Sequence, residues 1–478
     1  MLTLRQAGQW LTQAVPVGDM SLGALRVVTD TRSLRAGDLF VALKGDAFNA
    51  HDFLAQAREL GAAAAIAEYG LVPAGLPGFE VANTRLALGE LAAGWRAQFD
   101  LPLIAVTGSN GKTTVTQMIA CVLRAWKCDK AFATEGNFNN DVGVPLTLLR
   151  LTALHEMGVV ELGMNHPGEI AYLSRLVKPR VALINNAQRE HLEFMGTVDA
   201  VADENAAVLS SLPADGTAVF PADDLYTAHW REMAGARGVL TFAWRCDVPS
   251  ADVTASATWH ADHWHVTAST PSGPLVFLLH IAGRHNVKNA LAASACALAA
   301  GVPLTAIAKG LTDFMPVKGR SRAISLRVNE RLITVVDDTY NANPDSMQAA
   351  IEVLADLPAP RLLVMGDMGE VGGEGPKLHH EAGELARLHQ INHLFTLGAQ
   401  SAHAQQAFGA APGLASGHFG DVDTLFAAVK SVLPGINSVL VKGSRFMKME
   451  RIVQALEQEG LPSALALQAT STKALHAA

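Results

Sequence analysis

The stretch VTGSNGKTT, residues 106–114, carries the densest chemistry in the chain. Lys112 follows Gly111 and precedes two hydroxyls, Thr113 and Thr114, which is how a phosphate-binding loop ends. Val106 stands where the longer GxxxxGK[ST] loop has its first glycine, so this loop is of a shorter kind. Gly108 and Gly111, with Ser109 and Asn110 between them, let backbone N–H groups and a helix N-terminus face phosphate oxygens. Lys112 adds a point charge, and Thr113 stands where a hydroxyl meets Mg²⁺. Mg²⁺ on a nucleoside triphosphate takes one or two carboxylates and keeps several waters. Glu161, near the end of the apolar run MGVVELG, is the expected carboxylate. His191 follows the next apolar run, RVALINN, and both residues then fall at strand ends, where open α/β sheets gather ligands.

Those residues need a strand before the loop and a helix after it. LPLIAVTG reads as a buried strand, and residues 112–126 read as the helix that follows. MGVVELG, RVALINN and TAVFP alternate with helical patterns near 168–177, 198–210 and 222–235, the βαβ pattern of a parallel sheet. Residues 251–281 change to polar and apolar alternation broken at TPSGP, an antiparallel hairpin patch, and 285–313 read as two helices separated by GVP. The fold class is therefore α/β in three domains. A small N-terminal α/β domain at 1–98 has strand-like LFVAL, a helical run near 52–62, then alanine-rich AAAAIA and FEVANT. A central parallel-sheet ATPase domain with the phosphate loop spans 99–314. A C-terminal Rossmann-like domain at 315–478 has strands at AISLRV, LITVVDD, RLLVMGD, HLFTL and SVLVKG. Residues 461–478, alanine-rich with few anchors, are expected to fray.

Composition narrows the class of function. The 478 residues are too many for one core. Lys and Arg total 37 against 45 Asp and Glu, giving a net charge of −8 with no basic block, which argues against a nucleic-acid partner. Mean hydropathy is +0.20, yet no uninterrupted apolar run of membrane-spanning length occurs, and the N-terminal stretch lacks the continuous apolar core of a signal peptide. A cytoplasmic, monomeric enzyme without membrane insertion is expected. Cys121, Cys128, Cys246 and Cys296 are widely spaced and read as reduced core thiols. His260, His263 and His265 lack a further ligand at a fixed spacing and read as a solvated hairpin, and Asp223 and Asp224 read as a helix start.

Taken together, TGSNGKTT, VVELGMNHPGEIA, NNAQREHLE, GRHNVKNALAA and DDTYNANPDSM resemble the Mur ligases of peptidoglycan synthesis, and the likeness runs from DTRSLRAGDLFVALKGDAFNAHDF to LVKGSRFMKME. DDTYNANPDSM resembles the branch of that family that adds D-alanyl-D-alanine to a UDP-N-acetylmuramoyl-tripeptide. The resemblance implies ATP and Mg²⁺ in the central domain, the UDP substrate on the N-terminal domain and the dipeptide against the C-terminal domain. It implies activation of a carboxylate as an acyl phosphate, then amide formation, with Lys112, Glu161 and His191 as catalytic residues. Thr113 and Glu161 would hold one Mg²⁺, and His191 a second. Asn286 and Asn289 would lie near the base, and Arg320 and Asp338 would reach ATP on domain closure. Thr31, Arg32, Lys44 and His51 would contact the UDP portion. Asn341, Asn343, Ser346, Lys442 and Ser444 would face the acceptor.

One position departs from the family. Asn205 stands where many members carry a lysine carbamylated by CO₂, and an amide cannot form a carbamate; Asn205 through its oxygen or a water bridge, or Glu204 through its charge, would have to substitute. A sister ligase adding one amino acid, a folylpolyglutamate synthase and an ATP-hydrolysing switch module are the competing readings. DDTYNANPDSM and the N-terminal segment favour the dipeptide ligase.

Overall fold

The computed structural model describes all residues except 1, 46–47, 245–247, 249–250, 261–262, 329–330, 410–413, 460 and 463–478. The expectation of fraying therefore falls largely outside the described residues, as does the reading of Cys246 as a core thiol.

Each of the three domains is built on its own sheet. The first sheet has the order Val15–Val17, Gly78–Glu80, Ala64–Ala67, Leu39–Val41, Val27–Val28, and only its first pair is antiparallel. The second sheet has nine strands. Seven are parallel, the first six in the order Ala131–Ala133, Met157–Glu161, Leu103–Thr107, Val181–Ile184, Thr217–Pro221, Gly238–Ala243. Val253–His260 then pairs parallel to Gly238–Ala243, and His263–Thr270 and Gly273–Leu279 follow antiparallel. The antiparallel patch is thus a three-strand extension of the same sheet rather than a separate hairpin. The third sheet, of seven strands, runs Ala415–Phe419, His393–Leu397, Arg361–Gly366, Ser438–Lys442, Arg331–Asp338, Arg322–Val328, Leu461–Pro462.

The helices agree with the periodicity. Lys112–Lys127, Glu169–Val177, Val198–Ala206, Arg284–Ala299 and Leu304–Thr312 cover the predicted spans, whereas the fourth central helix starts at Thr227, because Asp223 and Asp224 form the turn before it. Strands Val15–Val17, Val27–Val28, Ala131–Ala133, Gly238–Ala243 and Ala415–Phe419 went unpredicted; all but Gly238–Ala243 are short or diluted by Gly and Ser. Nor do the thiols all lie in the core: Cys296 is buried, Cys121 half-buried and Cys128 exposed.

Topology explains where the cleft falls. From Leu103–Thr107 the chain crosses to strands on one side, and from Val181–Ile184 it continues to the other, so the loops leaving these two neighbours diverge. A crevice opens where they part. Glu161 pairs with Val106 and Ile184 with Thr107, which brings three strand ends level at its floor.

Candidate active site

Gly108 and Gly111 have φ of +131° and +81°, and a Cβ on Gly111 would lie 2.6 Å from Asn289 Oδ1. Both the left-handed turn and this close approach require glycine. The helix Lys112–Lys127 starts directly after Gly111, so its first N–H groups open into the crevice. Amides brace the loop from behind: Asn185 Nδ2 donates to the Asn110 carbonyl at 2.7 Å and to Asn289 Oδ1 at 3.0 Å, and Asn289 donates to Asn286 Oδ1 at 3.0 Å. Asn286 and Asn289 are buried in the cleft wall, and their amides support the loop.

At the floor, Thr113 Oγ1 donates to Glu161 Oε1 at 3.0 Å, and Asn139 Nδ2 donates to the same oxygen at 2.8 Å. Glu161 is 1% exposed. Asn139 was missed by sequence reasoning, although GNFNNDVG, three amides beside glycines, was the available signal. Lys112 Nζ is held by the Gly108 and Ser109 carbonyls at 2.6 and 3.0 Å and by Glu190 Oε1 at 2.6 Å. Burial pushes the Glu190 carboxyl up despite Lys112 and His191, and its second oxygen has no partner among the described residues.

The loop 185–191 joins two domains. Gln188 pairs with Ser109 and Asn110, while Arg189 gives its backbone N–H and two guanidinium N–H groups to Asp345 at 2.6, 3.1 and 2.9 Å. His191 Nδ1 lies 2.6 Å from Glu370 Oε2, and this contact holds the Glu370 carboxyl below its usual range. His191 and Glu370 have φ of +49° and +58°. Facing non-glycine residues in this costly region mark a site that the surrounding packing over-determines.

The C-terminal domain reaches the same crevice. Arg320 lies 3.9 Å over the Tyr340 ring and donates to Thr113 Oγ1 at 3.1 Å. Asn343 donates to Asn110 Oδ1 at 3.0 Å. Asp338 and Lys442, neighbours across parallel strands, pair at 2.6 Å, and Lys442 also donates to the Asn341 carbonyl at 2.9 Å. Burial alone would raise the Asp338 carboxyl, but Lys442, His285 and the Ser321 N–H together hold it below the usual range. The cleft measures about 670 Å³, and Arg85 of the first domain also lines it. That volume suits a ligand of nucleotide size.

Three family models match successive parts of the chain: "Mur ligase family, catalytic domain" over residues 26–96, "Mur ligase middle domain" over 106–297 and "Mur ligase, glutamate ligase domain" over 320–445. The chain belongs to the Mur ligase family. Among Mur ligases it is 41% identical, over 96% of its own length and 99% of the relative's, to the UDP-N-acetylmuramoyl-tripeptide–D-alanyl-D-alanine ligase of Escherichia coli (strain K12). It superposes on a crystal structure of MurF from Acinetobacter baumannii with a TM-score of 0.85 at 36% identity, covering 95% of this chain and 98% of that one. For MurF from Thermotoga maritima in complex with ADP, the TM-score is 0.79 at 26% identity, with coverages of 91% and 97%.

Not every expected residue of this Mur ligase meets the cleft. Gly111, Ser109, Asn110, Lys112, Thr113, Thr114, Glu161, His191, Asn286, Asn289, Arg320, Asp338, Asn341, Asn343, Ser346 and Lys442 line it. Gly108, Thr31, Arg32, Lys44, His51 and Ser444 do not. Arg32 is turned to solvent on Asp30, and Thr31 opens a short 3₁₀ turn beside it. His51 is buried: Nδ1 faces Asn49, Nε2 accepts the Glu68 N–H at 2.8 Å, and the ring stacks on Tyr69. Ser444 ties the Gly369 N–H to the Ala342 carbonyl, and Ser346 closes the capping box that starts the helix Pro344–Asp356.

Asn205 and Glu204 do not act as anticipated. Asn205 is fully buried, accepting from Thr107 Oγ1 at 2.7 Å and donating to the Val201 carbonyl at 2.9 Å. Glu204 accepts the Gly168 and Ile170 N–H groups at 2.8 and 2.7 Å, where an anion suits the N-terminus of Glu169–Val177. Both side chains serve the fold, and the charged groups facing Lys112 and His191 are Glu190 and Glu370 instead.

Proposed function

We propose that this Mur ligase joins D-alanyl-D-alanine to UDP-N-acetylmuramoyl-tripeptide at the expense of ATP, in peptidoglycan precursor synthesis. The carrying observation is the meeting, in one cleft, of the phosphate loop, Glu161 and Arg320 of a second domain. A free carboxylate resists attack by an amine because oxide is a poor leaving group. Attack of a substrate carboxylate oxygen on the γ-phosphorus of ATP releases ADP and leaves an acyl phosphate. The amine of the dipeptide then adds to the carbonyl carbon, and collapse of the tetrahedral adduct forms the amide, expels phosphate and releases a proton. Both steps concentrate negative charge, so positioning and electrostatics supply most of the acceleration.

The N–H groups after Gly111 and the Lys112 ammonium would take the phosphate oxygens, Lys112 leaving its contacts with the loop carbonyls and Glu190. Arg320, braced on Tyr340, brings a second cation to the same point. The Thr113 hydroxyl, the Glu161 carboxylate and the Asn139 amide form an oxygen-rich set at the floor, which fits a hard cation. Thr113 and Glu161 would hold Mg²⁺, which when bound would supply neutralisation of phosphate charge. His191 offers nitrogen and is engaged with Glu370, so it supports a second Mg²⁺ less well; among the described residues no group of three His, Cys, Asp or Glu is disposed to bind a metal. Seam contacts from Arg189, Asn343 and Arg320 would exclude water while the acyl phosphate exists. Among the described residues no helix is long and apolar enough to cross a membrane, and we place the reaction in the cytoplasm, where ATP is available, with the chain acting as a monomer.

The test is phosphate release from ATP and Mg²⁺ with the UDP-tripeptide, comparing D-alanyl-D-alanine, single amino acids and no acceptor. Release with the dipeptide alone supports the reading. Release with a single amino acid would indicate a sister activity, and release without acceptor a switch.

A further inference from the structure

The phosphate loop and Glu161 take up only part of the cleft wall. A further stretch joins them to the first domain: Asn139 holds the Glu161 carboxylate, and Asp141, two residues on, pairs with Arg85 at 2.8 Å. Asn137, Asn140 and Asn165 line this stretch and are exposed, so their amides are open to a ligand. Among the described lining residues Arg85 alone comes from the first domain.

The base of Arg85 is fixed and its head is free. The Asn83 side chain accepts its backbone N–H at 2.9 Å at the start of the helix Thr84–Arg96. That helix lies against Gly143–Leu148 and Glu169–Val177 of the middle domain, and a side chain at Gly89 would collide with Tyr172. The Arg85 side chain is 50% exposed, and of the five N–H donors of a guanidinium only one, on Nη1, is bonded among the described residues. Asp141 thus leaves the Nε and Nη2 edge unbonded, the edge that grips a carboxylate or phosphate with two parallel hydrogen bonds. The neighbouring acid, Glu169, is engaged by the Asn165 and His166 N–H groups at 2.6 and 3.2 Å. The other cations of the cleft are committed elsewhere: Lys288 to Asp223, Lys442 to Asp338, and Lys112 and Arg320 to the phosphate loop. An anion that reaches this stretch meets Arg85.

We propose that Arg85 is a specificity residue for the donor, gripping an anionic group of the UDP-linked tripeptide other than the carboxylate that reacts. The assignment rests on the reading of the donor given above. With its UDP portion on the first domain and its reacting carboxylate at Lys112 and Thr113, the donor passes Arg85 between them, and its peptide groups meet the open amides. Two of its groups have the required charge, the diphosphate and a second carboxylate in the peptide.

Isothermal titration of the full chain with UDP-N-acetylmuramoyl-tripeptide tests this. Arg85→Ala should raise the donor Kd at least about fivefold, with KM rising in step, and leave the Kd for ATP unchanged. Arg85→Lys should recover little, because a point charge lacks the fork. Asp141→Asn breaks the ion pair but keeps the guanidinium, and should hold the donor Kd within about twofold. A donor whose second carboxyl is a carboxamide separates the two sources. Loss of the Arg85 effect on it assigns the grip to the peptide carboxylate, and persistence assigns it to the diphosphate. Equal donor affinity in the native and Arg85→Ala chains, an equal loss in Asp141→Asn, or a weakened ATP affinity in Arg85→Ala would each overturn the proposal while leaving the ligase reading intact. A native chain that binds no UDP-tripeptide would overturn that reading and the proposal with it.

Discussion

Arg189→Ala and Asp345→Ala test how far the seam contributes to catalysis. The Asp345 carboxylate accepts from the Arg189 backbone N–H, Nε and the terminal guanidinium nitrogen at 2.6, 3.1 and 2.9 Å. A charge-assisted pair contributes about 1.5–3 kcal/mol when shielded. Here the side chains are 33% and 20% exposed, so solvent screening reduces the expected coupling to about 1–2 kcal/mol. If closure completes the site, that becomes about 5- to 30-fold in kcat/KM. Arg189→Ala keeps the backbone N–H and should lose less than Asp345→Ala. The assay is phosphate release by both single variants and the double variant, with thermal unfolding as a control for folding. The double variant should be no more than about twofold worse than Asp345→Ala, since the coupling is lost only once. A loss equal to the product of the two single losses would refute the claim that the pair acts as one latch.

Further expectations follow from other contacts. Asn139→Ala removes an outer partner of Glu161 and should raise the Mg²⁺ concentration for half-maximal activity about 10- to 100-fold; an unchanged Mg²⁺ titration would remove Asn139 from the metal's surroundings. Asp338 titrates below its ordinary value of 3.8, so its ion pair with Lys442 stabilises the fold fully above that pH and is lost as pH falls through the depressed folded value. Urea unfolding at pH 7, about 4 and about 3 should show a shallower loss below about pH 4 for Asp338→Asn than for the native chain, and equal losses there would contradict the assignment. Because Asn205 is buried on Thr107 and cannot be carbamylated, stripping CO₂ or adding bicarbonate should leave turnover unchanged; bicarbonate rescue would show another lysine in that role.

The parts of the site legible in the sequence were those set by short-range rules. A strand, two glycines, a lysine and two hydroxyls specify a phosphate cradle locally, and Glu161 followed from its place at the end of an apolar run. What the sequence hid depends on long-range contact. Arg189 and Asp345 are separated by 156 positions and look like ordinary surface charges until the domains meet. Glu190 beside His191 was not singled out, and only burial against Lys112 gives it meaning. His51 and Ser444 lie in plausible motifs, yet their side chains turn inward to satisfy backbone groups, which no local pattern announces. In the N-terminal domain LFVAL was recognisable as strand-like, whereas the short strands Val15–Val17 and Val27–Val28 and the surface that the UDP portion would meet have no comparably local pattern.

The central claim is that a substrate carboxylate is phosphorylated before the amide forms. The UDP-tripeptide carrying ¹⁸O in both oxygens of its reacting carboxylate, turned over with ATP and D-alanyl-D-alanine, tests this directly. One labelled oxygen should appear in each released phosphate and the other should stay in the new amide. Phosphate free of label, with product still forming, would contradict an acyl-phosphate route through this cleft.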